Sequence, residues 1–231
     1  MIESLRGIDL RLTEEAWPFA ETRRSEIAAY WQDALARKPA MFDGRVLGAL
    51  DLQIKDGVLS AGVIETRFSA FLAWRDWGFP DDSFFNVFGS AVIAGNDDGY
   101  IFGIMGAHTS NAGAIYPCGG SLEPGDVAAD GRVDVWASTA RELEEETGLS
   151  AAEAALGGDF LVRWGQLMSC TRVYRFDAPV SGLARRIEAT LAAQSDPELA
   201  GVAVFKHMSD LDQNCLRPYA LMTAKHLLDV K

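Results

Sequence analysis

Three glutamates that lie close together in the sequence could bind a metal ion. Glu142, Glu145 and Glu146 fall at positions i, i+3 and i+4, which places them on one face if the segment is helical. Like charges at this spacing repel each other by roughly 0.2–0.5 kcal/mol per pair in an exposed helix. A hard divalent cation prefers carboxylate oxygens and would offset the repulsion. On the glutamates alone, an ordinary solvated helix face is the alternative.

The flanking residues predict the helix that would carry this cluster. Asp134 is a favourable N-cap for a helix that begins at Val135, and Gly148 is a favourable residue to end it. The apolar face of this helix would be formed by Trp136, Ala140 and Leu143. The predicted helix therefore buries one face and presents the glutamates on another.

A glycine-rich loop precedes this helix in the segment PCGGSLEPGD. Gly119, Gly120 and Gly125 permit tight turns and expose backbone amides and carbonyls. Such a loop beside a carboxylate-bearing helix can add a carbonyl ligand to a metal and hold phosphates nearby. The combination favours a metal site over a solvated acidic face.

Together the two segments resemble the Nudix box, GX5EX7REUXEEXGU, in which U is a bulky apolar residue. RELEEETGL matches the second half at every fixed position, and Gly120 would be the opening glycine. Asp126 stands where the pattern has a glutamate, and fourteen residues instead of seven separate it from RELEEETGL. The additional residues, Val127 to Val133, contain the turn signal Asp130-Gly131, so we expect a loop inserted at the rim of the metal site.

This resemblance implies a Mg²⁺-dependent (or Mn²⁺-dependent) hydrolase. It would cleave a phosphoanhydride (pyrophosphate) bond in a nucleoside diphosphate linked to another moiety. The implied metal ligands are Glu142, Glu145, Glu146 and the Gly120 carbonyl, with Asp126 binding a second metal or a metal-bound water. Arg141 would orient the glutamates and completes the implied catalytic set with them. The general base would be one of the glutamates or a carboxylate from a later loop.

Two other functions on the same fold stay open. One is a catalytically inactive nucleotide-sensing or interaction domain, although such a domain need not retain all three glutamates. The other is an allylic diphosphate isomerase, which would need a cysteine and glutamate pair over a carbon skeleton. Cys118, inside the glycine-rich turn, is a poor candidate for that role.

Several polar residues could contact a small nucleotide-like substrate. The candidates nearest the glycine-rich loop are His108 and Asn111, with Ser110 and Tyr116 beside them. Arg67 and Arg75 flank a segment whose aromatic side chains could stack on a base or sugar, or pack between the two parts of the chain; these are Phe68, Phe71, Trp74 and Trp77. The layout ahead of the box resembles Nudix enzymes that act on nucleoside diphosphate sugars, so a UDP-sugar is favoured over ADP-ribose, dinucleoside polyphosphates and coenzyme A.

The composition excludes other classes of function. A formal charge of −12 argues against nonspecific binding to nucleic acid. No apolar run approaches the roughly 18 residues of a membrane span, and the N-terminus lacks a signal-peptide pattern, so we expect a cytoplasmic protein without a membrane partner. Three widely spaced cysteines argue against a disulfide framework and a zinc site. A homodimer is a further expectation.

The overall pattern predicts an α/β (α+β) fold. The resemblance specifies a Nudix-type α/β/α sandwich with a mixed sheet over residues 84–231, preceded by an N-terminal extension over residues 1–83. In the extension, the pattern predicts a strand over 5–12, a helix over 16–38, strands with turns at Asp43-Gly44 and Asp56-Gly57, and a short helix over 69–78. Beyond it, the pattern predicts a hairpin turning at residues 96–99, further strands, and helices over 182–194 and 217–230.

Overall fold

A mixed β-sheet forms the centre of the computed structural model, which describes residues 1–39 and 41–229. Its strands are β1 (Ile2–Ser4), β2 (Gly7–Leu12), β3 (Arg45–Lys55), β4 (Val58–Arg67), β5 (Phe84–Ala94), β6 (Tyr100–Met105), β7 (Ile115–Tyr116), β8 (Ala154–Trp164), β9 (Leu167–Phe176) and β10 (Leu199–Phe205). The helices are α1 (Pro18–Thr22), α2 (Arg24–Arg37), α3 (Phe68–Asp76), α4 (Val135–Thr147), α5 (Val180–Ala193) and α6 (Pro218–Asp229). None of these helices is long and apolar enough to cross a membrane.

Strand β5 lies at the centre of the sheet and pairs with three other strands. The principal strand order is β1-β8-β9-β5-β3-β4-β2. Outside this order, β6 pairs with β5, and β7 and β10 each pair with β6. Strand β5 pairs in parallel with β9 and antiparallel with β3 and β6. Its residues are almost all buried, as expected for a strand covered on both faces.

Helices cover both faces of this sheet. A Cβ added at Gly89 of β5 would lie 1.9 Å from Thr139 Oγ1 of α4. The ring of Phe88, the preceding residue, lies 5.1 Å from the ring of Tyr219 on α6. Because successive strand residues point to opposite faces, α4 and α6 lie on opposite sides of β5. The α/β class predicted from the sequence is therefore confirmed, with helices sandwiching a mixed sheet.

The N-terminal part of the chain shares the central sheet. Strand β1 pairs with β8, and β3 pairs with β5. An aromatic cluster supports this connection, since Trp17 stacks on Phe84 at 3.8 Å and Trp74 meets Phe84 edge-on at 4.8 Å. A division into an extension over 1–83 and a domain over 84–231 stays a proposal, and Ala40, Val230 and Lys231 lie outside the described residues.

Two of the sequence predictions in the N-terminal part were wrong. The single helix expected over residues 16–38 is two helices that meet at Arg23, and the first begins only at Pro18 because proline disfavours helical geometry in the residue before it. Asp43-Gly44 forms no turn; the Asp43 carboxylate instead accepts hydrogen bonds from the amide and hydroxyl of Ser69 in α3. Asp43 next to a glycine is a typical turn sequence, but its carboxylate oxygens instead accept hydrogen bonds at the start of α3.

The predicted hairpins are confirmed. Asp56 and Gly57 both have positive φ, at 52° and 77°, as the two-residue turn between β3 and β4 requires. Residues 96–99 connect β5 and β6, and Gly95 N donates to Gly99 O at 3.0 Å. The C-terminal helix is also present and ends at Asp229, while its predicted last residue, Val230, lies outside the described residues.

Candidate active site

Helix α4 begins and ends where the sequence indicates. The Asp134 side chain accepts a hydrogen bond from Ala137 N at 2.9 Å, and Gly148 adopts a left-handed conformation with φ of 68°. Leu143 is fully buried and fixes the rotation of the helix against the sheet. This rotation turns the glutamate-bearing face toward the glycine-rich loop.

The glycine-rich loop runs antiparallel alongside β5, in close backbone contact with it. Ala91 N donates to Cys118 O at 2.7 Å, and Gly119 has φ of 149°. A Cβ at Gly119 would lie 2.2 Å from the Gly89 carbonyl oxygen, and a Cβ at Gly120 would lie 2.9 Å from the carboxyl carbon of Glu142. Glycine is therefore required at 119 to approach the strand, whereas a side chain at 120 would displace the Glu142 carboxylate.

The three helix glutamates differ in environment. Glu146 is only 4% exposed and accepts a hydrogen bond from Gly119 N at 3.2 Å, whereas the Glu145 side chain is 61% exposed. Burial raises the pKa of Glu142 to about 7, despite the opposing charge of Arg141. Burial, reinforced by the nearby Glu198 carboxylate, raises the pKa of Glu146 to about 8. The two inner carboxyl groups therefore hold a large share of their protons near neutral pH.

Arg141 links the box carboxylates to one another. Its Nη1 donates to Glu142 Oε1 at 2.8 Å and to Glu145 Oε2 at 3.3 Å, and its Nη2 donates to Asp126 Oδ1 at 3.1 Å. Asp126 Oδ2 accepts from Ser138 Oγ at 3.0 Å and from Glu123 N at 2.9 Å. Both oxygens of Asp126 are thus engaged within the protein, which argues against the expected metal-ligand role of this residue.

A fourth carboxylate near the cluster, that of Glu198, was missed by the sequence analysis. Glu198 immediately precedes β10 and is held by its own carbonyl, which accepts from Gly106 N at 2.8 Å. Although the residue lies at the surface, loss of water around its carboxyl raises its pKa, against the lowering effect of His108. A pocket of about 380 Å³ brings Glu198 together with the three helix glutamates, Gln194, Ser195 and Asp196.

The pocket is acidic but not pre-arranged around a cation. Among the described residues, no three His, Cys, Asp or Glu side chains converge closely enough to form a ready-made metal site. The engaged oxygens explain this arrangement, because Glu142 is turned to Arg141 and Glu146 to Gly119.

A larger cleft of about 720 Å³ adjoins the acidic pocket, with Glu198 bordering both. At the shared end the cleft contacts Gly119 and Gly120, and at the other end it is bounded by α3 and by the β8–β9 turn. Its lining is part polar and part aromatic; the aromatic residues are Phe68, Phe71, Phe79, Phe88, Tyr116, Trp164 and Tyr219. An elongated ligand could therefore extend from the carboxylates to an aromatic wall.

The predicted substrate residues near the glycine loop lie around this cleft. Asn111, Ser110 and Tyr116 line it, and Asn111 Oδ1 accepts from Nη2 of Arg217, another lining residue, at 2.7 Å. His108 does not line the cleft; its Nε2 lies 3.8 Å from Oδ1 of Asp196, a residue of the acidic pocket. His108 is therefore placed to influence charge at the acidic end of the site.

Arg67 does not reach the cleft, contrary to the sequence prediction. It is exposed at the end of β4, where its Nη1 donates to the Asp43 carbonyl oxygen at 3.3 Å. Arg75, one helix further along, does line the cleft. Both arginines were candidates for substrate contact in the sequence, and only the direction of α3 shows which of them lines the cleft. The same helix directs Phe68 and Phe71 to the cleft while Trp74 is fully buried in the core.

The inserted residues Val127 to Val133 lie away from the site, contrary to the expectation of a rim loop. They extend the sheet beside β2, since Val133 N donates to Leu10 O at 3.0 Å and Leu12 N donates to Gly131 O at 2.8 Å. None of the seven residues lines the cleft or the acidic pocket. The loop forms backbone hydrogen bonds with the exposed edge of β2. This pairing could not be inferred from the loop's own sequence.

Solved structures of known proteins provide a comparison for this architecture, whereas no protein-family model and no curated protein matches the chain. The NUDIX hydrolase from Nitrosomonas europaea is 22% identical, with a TM-score of 0.43 over 64% of this chain and 90% of that chain. A NUDIX-family hydrolase from Clostridium perfringens is 13% identical, with a TM-score of 0.39 over 63% of this chain and 97% of that chain. The chain is similar in structure to Nudix hydrolases.

A longer, two-function protein is also similar. The bifunctional NMN adenylyltransferase/ADP ribose pyrophosphatase from Francisella tularensis is 17% identical, with a TM-score of 0.46. The match covers 69% of this chain and 45% of that chain, and the Francisella protein has also been solved with AMP and a manganese ion. At these identities and scores, the likeness assigns no activity to the chain.

Proposed function

We propose that the protein is a Nudix-type hydrolase that cleaves a phosphoanhydride bond in a nucleoside diphosphate linked to another moiety. One observation carries the proposal: the box glutamates and Glu198 share an acidic pocket, and Glu198 also borders a larger cleft lined by Gly119, Gly120 and by aromatic and arginine side chains. Acidic oxygens at one end suit a cation and its phosphates, and aromatic surfaces at the other suit a planar base.

The donor set fits a hard divalent cation. Glu142, Glu145 and Glu146 offer only carboxylate oxygens, and the absent side chain at Gly120 leaves room for the Glu142 carboxylate beside a backbone carbonyl. Mg²⁺ or Mn²⁺ prefers such oxygen ligands. These residues would hold the ion, which when bound neutralises charge on the phosphoryl oxygens and makes water a better nucleophile.

The chain's own residues then have distinct tasks. Arg141, held by Asp126, keeps Glu142 and Glu145 directed into the pocket. Glu198 enters the pocket from the segment just before β10. When ionised, it is our candidate to accept the proton of the attacking water, a role for which a raised pKa is suited. Asp126 is proposed as a positioning residue, in place of the metal ligand expected from the sequence.

The cleft favours a substrate with a base and a second group on either side of the diphosphate. Arg75 and Arg217 both line the cleft, and the N–H groups that Arg75 does not direct to Asp76, and Arg217 does not direct to Asn111, could donate to anionic or carbonyl oxygens. A nucleotide sugar satisfies these features, and we propose it as the first substrate class to test.

The isomerase alternative is poorly supported. Cys118 is fully buried, and burial raises the pKa of its thiol well above the ordinary value. A nucleophilic or proton-transferring cysteine needs access and an accessible thiolate. The inactive-domain alternative differs from the hydrolase in one measurable respect, because it would bind nucleotides without turnover.

The experiment that tests the proposal is a substrate screen. UDP-, ADP-, GDP- and CDP-sugars, ADP-ribose and dinucleoside polyphosphates are incubated with the protein and Mg²⁺ or Mn²⁺, and products are separated by chromatography. We expect a nucleoside monophosphate and a phosphorylated second product, abolished by excess chelator and strongly reduced by Glu198→Gln. Glu144→Gln on the outer face of α4 is the matched control. Nucleotide binding with no metal-dependent product from any substrate would favour the inactive domain.

A further inference from the structure

Asn86 is a buried polar residue on an otherwise apolar strand. It lies in the run FFNVFGSAVIA of β5 and is only 9% exposed. Its backbone amide donates to Gln166 O at 2.9 Å, but its side-chain amide forms no hydrogen bond with any residue in the described part of the chain. A largely buried amide with no protein partner is unusual on an apolar strand, so its presence calls for an explanation.

The Asn86 amide faces the cleft. Asn86 lines the cleft together with Phe88, two positions along the same strand face. Within residues 1–39 and 41–229, the only completely occluded side-chain oxygen or nitrogen without a partner belongs to Glu3. The Asn86 amide therefore keeps access to open space, and the cleft supplies that space. A ligand in the cleft would satisfy both its donor and its acceptor.

Aromatic side chains line the same cleft as this amide. Asn86 is paired in register with Leu167 of β9, and Leu167 is paired with Trp164 of β8, so the three residues form a row across adjacent strands. Trp164 meets Phe79 at 6.3 Å between ring centroids, and all four of these residues line the cleft. A row that runs from an amide to an indole offers a hydrogen-bonding edge next to a stacking surface.

The position along β5 relates this row to the acidic pocket. Asn86 lies three residues before Gly89, the residue that the Gly119 backbone approaches most closely, and three residues span on the order of 10 Å at strand spacing. A nucleoside lying along the strand would thus place its phosphates at the loop and its base at Asn86. The arrangement is difficult to explain by a sugar alone, because a planar stacking surface favours a planar ring.

We propose that Asn86 reads the edge of the nucleobase of a nucleoside diphosphate substrate, within a base subsite walled by Trp164 and Phe79. The inference rests on the proposed function and adds the residue that sets base preference. A carboxamide presents one donor group and one acceptor, so it complements a base edge on which an acceptor and a donor are adjacent. Changing the amide to a carboxylate removes the donor and should alter the base preference.

The test measures binding of nucleoside monophosphates, which contain no anhydride bond. Affinities of the full chain for UMP, AMP, CMP, GMP and ribose 5-phosphate are determined calorimetrically in chelator, for wild type, Asn86→Ala and Asn86→Asp. Asn214→Asp, at an exposed site outside the cleft, is the matched control. Melting temperatures verify folding, and Asn86→Leu, which retains volume without hydrogen bonding, replaces the alanine variant if that variant is unstable.

We expect the preferred nucleotide to bind at least about tenfold more tightly than ribose 5-phosphate. Asn86→Ala should remove about tenfold of that affinity and leave ribose 5-phosphate unaffected. Asn86→Asp should shift the UMP-to-GMP affinity ratio at least about tenfold toward GMP, because a carboxylate accepts from the two adjacent N–H groups of guanine and repels the uracil carbonyl.

Three results would overturn the inference. The first is that Asn86→Ala weakens the binding of ribose 5-phosphate as much as that of the nucleotide. The second is an unchanged UMP-to-GMP affinity ratio in Asn86→Asp, and the third is wild-type binding that does not depend on the base. The outcome is separable from that of the proposed function. Base-dependent binding without hydrolysis would remove only the hydrolase assignment, whereas hydrolysis with no role for Asn86 would remove only this subsite.

Discussion

Asp126 and Arg141 are joined by a salt bridge of 3.1 Å that spans the inserted loop. The Asp126 side chain is almost fully buried, whereas Arg141 continues outward to Glu142 and Glu145. A carboxylate that is shorter than the glutamate of the box pattern therefore still reaches the box arginine. The insertion leaves this contact intact because its two ends are adjacent, with Asp134 N donating to Asp126 O at 2.9 Å.

The salt bridge leads to a prediction about positioning. Asp126→Asn removes the charge that holds Arg141, and we expect a loss of roughly tenfold to a hundredfold in activity, as is typical when a partner behind a metal ligand is removed. Asp126→Glu, which restores the residue of the box pattern, should retain most activity. Steady-state kinetics of both variants, with Asp130→Asn as an exposed control in the inserted loop, measure the effect.

A double-mutant cycle distinguishes positioning from direct metal binding. If Asp126 acts through Arg141, Asp126→Asn and Arg141→Lys should be strongly non-additive in kcat/KM, since each breaks the same contact. The number of metal ions bound per chain should not change. A lost ion in Asp126→Asn, with additive kinetic effects, would return Asp126 to the ligand set.

The inner glutamates provide a second prediction. Glu146→Gln and Glu142→Gln keep the side-chain shape but remove a ligand charge, so turnover should fall by about two orders of magnitude or more. Without metal, the melting temperature should stay equal or rise because a buried, mutually repelling carboxyl group is replaced by a neutral one. Glu144→Gln, exposed on the same helix, should change neither quantity. Wild-type turnover in Glu146→Gln at limiting metal would contradict the proposed ligand set.

The raised pKa values predict how pH affects the metal-free protein. The pKa of Glu142 is about 7 and that of Glu146 about 8 in the folded state, compared with an ordinary glutamate value of 4.5. Between these limits the unfolded chain binds fewer protons than the folded chain, so the free energy of unfolding falls as pH rises from about 5 to 8. Chemical denaturation across this range, in chelator, should show the fall, and Glu146→Gln should flatten it. A stability that is constant or rises over this interval would refute the protonated state of the inner pair.

The sequence predicted those features that depend on local chemistry. The cap at Asp134, the left-handed Gly148 and the turn at Asp56-Gly57 each follow from conformational preferences of one or two residues. The placement of the three glutamates on one helix face followed from helical spacing, and their interpretation as a metal site followed from the adjoining glycine-rich loop and the box pattern. These features were predictable because no distant contact is needed to specify them.

The parts of the site that the sequence did not reveal depend on long-range pairing. Glu198 reaches the helix glutamates because β10 pairs with β6, and Asn86 shares a row with Trp164, two strands away, because β9 lies between β5 and β8. Asn86 did carry a signal, since a polar residue within a strongly apolar strand is unusual. For Arg67 and Arg75, in contrast, only the tertiary direction of α3 separates the exposed residue from the lining one.

The inserted loop supports a last prediction. Val133 is nearly buried in a cluster with Leu10, and the loop backbone continues the sheet beside β2. Deleting Val127 to Val133 removes this packing and two hydrogen bonds to β2, which should lower the melting temperature by roughly 5–10 °C. Because none of the seven residues lines the cleft, the relative kcat/KM among nucleotide sugars should not change. Val133→Ala should reproduce part of the destabilisation without shortening the chain, while Asp130→Asn should have no effect. A deletion variant of unchanged melting temperature but altered substrate preference would instead place the loop at the rim of the site, where the sequence first suggested it.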